Sequence, residues 1–161
     1  MKLKHSYSAR EVAALTGLTA RQLQWWDSRR LFTATVASRR TEAGGFTERR
    51  YSPVDLYELL ALADLRRKGF TVQKIRTILT VLREQFGIRL FDALGDEGPV
   101  TLLTDGRDVY AKSETGEFFN LLCSPDQPLL VVGDDAQLKE LSARTRPRRK
   151  KSKKKKKPDA K

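Results

Sequence analysis

With 161 residues, the chain has room for one domain of modest core or two very small ones. It contains no apolar run near the roughly 20 residues of a membrane span, and no signal-peptide pattern follows Met1-Lys2-Leu3-Lys4, so a cytoplasmic chain without a membrane is expected. One cysteine, Cys123, and one histidine, His5, allow no disulfide and no protein-only zinc or copper site. Neither metal nor cofactor is expected, and Cys123 reads as a small buried hydrophobe.

The net charge of +12 is unevenly spread. Residues 1–52 carry +6, residues 53–86 carry +2, residues 87–143 carry −7 and residues 144–161 carry +11. Two basic ends therefore flank an acidic segment, which suggests a basic N-terminal binding surface, an acidic module that avoids nucleic acid, and a basic tail.

In chain order, Ser8-Ala9-Arg10-Glu11 is a capping box opening an apolar pattern at Val12, Ala13 and Leu15, with Gly17 just beyond. Thr19-Ala20-Arg21-Gln22 is a second, starting a helix to about Arg29. Two short helices joined by so few residues around a glycine fit a helix-turn-helix, although any αα-hairpin shows the same spacing. "LFTATVASRRTEAGGFTERRY" then reads as a hairpin of two short strands around a mobile loop, carrying Arg39, Arg40, Arg49 and Arg50. Ser52-Pro53-Val54-Asp55 is a third capping box, with proline in the first turn, and its helix runs to about Lys68 before Gly69. Thr71 starts another, with Val72, Ile75, Ile78/Leu79, Leu82 and Phe86 at helical spacing.

From Ile88 the pattern turns to strands. "VTLLTDGRDVYAK" is a hairpin around Asp105-Gly106, "EFFNLL" and "PLLVV" add one strand each, and Asp134 or Asp135 caps a last helix through Leu141. Such a module is too small to stand without packing on something else. "RTRPRRKKSKKKKKPDAK" is low complexity and is expected to be disordered. The expected fold is mainly α with small β elements. Its divisions are a winged helix-turn-helix over 1–70, a helix over 71–87, an acidic α+β module over 88–143 and a tail over 144–161.

The order of these pieces resembles the MerR family of transcriptional regulators. "YSAREVAALTGLTARQLQWWDSRRLF", "ERRYSPVDL" and "LADLRRKGFTVQKIRTIL" carry the match, from Tyr7 to about Leu79. Within them, Gln24-Trp25-Trp26-Asp27 stands where the family has an Arg-aromatic-aromatic-acid run, Arg49-Arg50-Tyr51 where it has Arg-x-Tyr, and Lys68 to Ile75 where it steps into the next helix. Gln24 replaces the usual arginine, so no relative's DNA preference carries over. The family's sensor cysteines are not found in the C-terminal half.

The resemblance implies a DNA-binding regulator with no enzymatic activity, working at the nucleoid. With Leu23 at 0° on the second helix, Trp26 falls at about 300° and shares its face, to pack on Val12 and Leu15. Gln24 at about 100°, Arg21 at about 160° and Trp25 at about 200° share the opposite arc, near Thr19 and Gln22 at the helix start. In a helix-turn-helix this outer arc enters the major groove. The alternative is a solvated face with Trp25 packed under the wing. The candidate DNA-binding set is therefore Thr19, Arg21, Gln22, Gln24, Trp25, Arg39, Arg40, Arg49, Arg50 and Tyr51. Arg49 and Arg50 are favoured over Arg39 and Arg40 as phosphate contacts.

The apolar stripe of Thr71–Phe86 is either core within one chain or, as the family implies, a homodimer contact on a pseudo-palindromic site. The 88–143 module is the candidate site for a protein or small-molecule effector. Two alternatives stay open: a nucleoid-associated architectural protein, and an antitoxin-like or recombination-accessory adaptor using the acidic module.

Overall fold

The computed structural model describes residues 2–40 and 47–129, without the side chains of Arg39, Arg40 and Thr47. The Gly44-Gly45 loop, the end of "PLLVV", the helix expected through Leu141 and the basic tail lie outside the described residues.

The elements are β1 (Tyr7–Ser8), α1 (Ala9–Thr16), α2 (Ala20–Ser28), β2 (Val36–Arg40), β3 (Thr47–Tyr51), α3 (Pro53–Arg67) and α4 (Val72–Gln85). A 3-10 turn at Leu90–Ala93 leads to β4 (Val100–Thr104), β5 (Val109–Ser113), β6 (Phe118–Asn120) and β7 (Ser124–Leu129). The three expected capping boxes are present on α1, α2 and α3, where Ser8, Thr19 and Ser52 each accept from a backbone N–H three residues on. Thr71 caps α4 in the same way, accepting from Lys74 N. Gly17 stops α1 with φ 76°, a left-handed conformation that costs a glycine little, and its N–H donates to the Ala13 carbonyl.

The wing sheet has three strands in the order β1-β3-β2, all antiparallel. Its third strand, β1, pairs Tyr7 with Tyr51 and stitches the N-terminal segment to the wing. The C-terminal sheet is an antiparallel meander, β4-β5-β6-β7. Its first hairpin closes through the four residues Asp105–Asp108, Thr104 pairing with Val109, and Asp105 Oδ1 accepts from both Arg107 N and Asp108 N at 2.8 Å. That side chain widens the turn beyond the tight Asp-Gly form.

Three local expectations need correction. Leu15 is 42% exposed, because Thr16 takes the inward position beside Val12 and donates its hydroxyl to the Val12 carbonyl at 2.7 Å. Cys123 is exposed, since Leu121 fills the apolar position and the chain turns immediately after it. The last described strand begins at Ser124, earlier than "PLLVV", and holds two prolines, which an edge strand tolerates. Residues 88–129 form strands after one 3-10 turn, in line with the strand pattern expected from Ile88.

One core runs through all of it. Val12, Leu23 and Trp26 join Leu59 and Leu62 of α3, Ile75, Ile78 and Leu82 of α4, and Val109, Ala111 and Leu121 of the C-terminal sheet. Phe86 meets Phe119 edge-to-face at 5.5 Å. The small sheet thus gains its partner from α3 and α4, and the apolar stripe of α4 is accounted for within a single chain. Ile75, Ile78 and Leu82 are at most 1% exposed.

Candidate nucleic-acid interface

The interface is built on α2. Burial of Leu23 at 3% and Trp26 at 2% exposure fixes the rotation of this nine-residue helix and turns Arg21, Gln24 and Trp25 outward. Trp25 is 41% exposed, and the Arg29 guanidinium lies over its ring at 5.7 Å. The Arg29 carbonyl in turn accepts from both terminal nitrogens of Arg76 on α4, at 3.2 Å each. The outer arc therefore offers a guanidinium, an amide and an indole N–H, which are donors suited to phosphates and base edges. Arg29 and Arg76 stand beside it, outside the arc that the helical periodicity marks.

Thr19 and Gln22 lie at the exposed start of the helix, but their side chains are occupied. Thr19 Oγ1 accepts from Gln22 N at 3.1 Å, and Gln22 Oε1 accepts from Thr19 N at 2.9 Å. Their polar ends serve the helix first.

The wing arginines divide differently from expectation. Arg49 donates through Nε to Asp27 Oδ2 at 2.9 Å, and its Nη2 lies 2.8 Å from the same oxygen. Asp27, on α2, thereby ties the wing to the helix. Arg50 donates through Nη2 to Ser6 Oγ at 2.7 Å and to the Ser6 carbonyl at 3.3 Å, with Glu48 at 3.7 Å from Nη1. Both guanidiniums are thus engaged inside the fold, one positioning the wing and one holding the N-terminal segment. Arg39 and Arg40 occupy β2, paired with Glu48 and Thr47.

Tyr51 is buried rather than exposed on the wing. Its ring is 2% exposed, and burial pushes its phenol above the ordinary value. The cause is β1: pairing with Tyr7 turns Tyr51 to the core, and no local signal in the sequence announces a two-residue strand 44 positions away. The sequence pattern also gives no sign of a buried acidic pair, Asp55 in the first turn of α3 and Glu58 one turn later.

Among the described residues, no group of three or more His, Cys, Asp or Glu is arranged to hold a metal, and no helix is long and apolar enough to cross a membrane.

Comparison with known proteins gives the family model described as "MerR HTH family regulatory protein", matching residues 7–82. Three curated relatives, each named an uncharacterized HTH-type transcriptional regulator, are 30% identical over 116 residues, or 72% of this chain. One is from Mycobacterium bovis and two are from strains of Mycobacterium tuberculosis. The chain spans about half of their length, 47%.

Proposed function

Because residues 7–82 are a MerR-family helix-turn-helix domain, we propose that the protein is a sequence-specific DNA-binding transcriptional regulator, without enzymatic activity, acting at the nucleoid. The observation that carries this is the division of α2. Leu23 and Trp26 are buried while Arg21, Gln24 and Trp25 face outward, in the part of a helix-turn-helix that enters the major groove. Arg21 suits guanine or a phosphate, Gln24 suits adenine, and the Trp25 indole suits the sugar-phosphate backbone. Arg39, Arg40, Arg49 and Arg50 are the wing's candidate phosphate contacts. Arg49 and Arg50 orient the wing, and their outer N–H groups add secondary contacts.

The finer proposal is a homodimer on a pseudo-palindromic site. Thr71–Phe86 can serve it only through the flank left beside its buried stripe, because Ile75, Ile78 and Leu82 belong to the chain's own core. An effector, protein or small molecule, is assigned to the 88–143 module.

Genome-wide mapping of bound sites followed by footprinting tests the reading. One short, symmetric protected site is expected, and sedimentation of the complex should give two chains per site. Spreading protection without preference would instead favour an architectural coat protein, and absence of DNA binding would leave the adaptor role.

A further inference from the structure

Asp55 and Glu58 lie one helical turn apart on α3 and are 0% and 4% exposed. Asp55 does more than close its capping box. Its Oδ2 accepts from Ser52 N at 2.8 Å, from Thr35 N at 3.0 Å and from the Thr35 hydroxyl at 2.8 Å. Thr35 immediately precedes β2. The other oxygen, Oδ1, faces Arg89 Nη2 at 3.5 Å. Arg89 also grips Glu58 with two prongs, Nε to Oε1 at 2.7 Å and Nη2 to Oε2 at 2.6 Å. Glu58 Oε1 further accepts from Phe91 N at 2.8 Å, in the 3-10 turn that opens the C-terminal module. One guanidinium therefore serves two buried carboxylates, and the chain of contacts runs from residues 89–91 to the stem of the wing.

The carboxylates are buried while the Arg89 side chain is 42% exposed, so the guanidinium closes the pair from the solvent side. An apolar residue there would cover the same surface but leave both charges uncompensated. What the ionic version supplies is fixed geometry, through a forked and directional contact.

We propose that Arg89 is a positioning residue for the wing. Through Glu58 and Asp55 it holds Thr35, so a displacement of the C-terminal module at residues 89–91 resets strand β2. The consequence for DNA rests on the DNA-binding reading above, while the coupling itself does not.

Amide hydrogen exchange on the full chain tests the coupling without DNA. In Arg89→Met, which keeps an apolar stem, the Thr35 amide should exchange roughly tenfold faster than in the parent, as expected when one hydrogen bond to a buried charge is loosened. The amides of the buried residues Leu23 and Ile75, bonded to the N-cap carbonyls of Thr19 and Thr71, serve as the reference for general loosening. If Thr35 accelerates no more than these two, the loss is one of general stability and the proposal is overturned. Should Arg89→Met fail to fold, Arg89→Lys, which keeps the charge and loses the fork, carries the same comparison.

A double-mutant cycle of Thr35→Val against Arg89→Met then reads DNA affinity. These residues are joined through Asp55, and non-additivity of roughly threefold or more is expected. Additive losses would overturn transmission to the wing. Absence of DNA binding by the parent protein would refute the regulator reading and leave the exchange result to decide the coupling.

Discussion

Two adjacent tryptophans take opposite duties because neighbouring helix residues point about 100° apart. Trp26, 2% exposed, is part of the core, and Trp25, 41% exposed, is not. Trp26→Ala should lower stability by roughly 3–5 kcal/mol in urea denaturation, the usual cost of emptying a large aromatic site. Trp25→Ala should leave the denaturation midpoint almost unmoved and weaken DNA affinity. If both variants unfold at the same urea concentration, Trp25 is a packing residue and the interface reading loses its aromatic member. The helical wheel made this split readable, since 3.6-residue periodicity is local information. The wheel of α1 misplaced Leu15, where Thr16 could satisfy its hydroxyl on the Val12 carbonyl and so turn inward. Tyr51 misled for the opposite reason: the motif located the residue, but its facing depends on a strand partner remote in sequence.

At the scale of elements, the helix starts were the most legible features, because a capping box is written in four consecutive residues. The first of them also titrates. The Lys4 ammonium and the Ser8 backbone N–H hold the Glu11 carboxyl down at about 2. An unfolded glutamate titrates near about 4.3. The folded value is the lower one, so the stabilisation is fully present above about pH 4.3 and is lost as pH falls from there toward 2. Glu11→Gln should therefore reduce the melting temperature at neutral pH and narrow its gap to the parent protein as the solution is acidified. Parallel curves for the two proteins across pH 5 to 2 would show that Glu11 is not the titrating group. Strands were less legible than helices. β7 starts before the apolar run that signals it and includes Pro125 and Pro128, whose missing N–H groups need cost no ladder bond on an edge strand.

For the whole molecule, charge and packing act on different levels. The tail residues 144–161 carry +11, and on the proposed DNA-binding reading they would supply non-specific attraction, since each neutralised phosphate releases counterions. Deleting Arg144–Lys161 should make log affinity for DNA less steep against log salt concentration while leaving the preferred sequence unchanged. Loss of preference in the truncated protein would mean that the tail, and not α2, discriminates among sites. Packing was the part least visible in the sequence. Its acidic composition marked residues 87–143 as separate, whereas Val109, Ala111 and Leu121 complete the same core as α3 and α4. Composition reports the outer surface of a sheet, and only tertiary contact reveals what its inner face covers.

The two-residue strand β1 has a kinetic consequence. Pairing Tyr7 with Tyr51 closes a loop of 44 residues, for which chain entropy alone costs about 3 kcal/mol by the three-halves RT ln n rule. The α1–α2 hairpin needs no such closure and can form while the amino terminus is still free, leaving β1 to dock late. Contacts absent from the transition state act on the unfolding rate. Tyr7→Ala should thus shorten the lifetime of the native state in stopped-flow chevrons while leaving the refolding limb nearly in place, and a slowed refolding limb would put β1 in the nucleus. On that order of events the strand would be a latch, fastened last and released first.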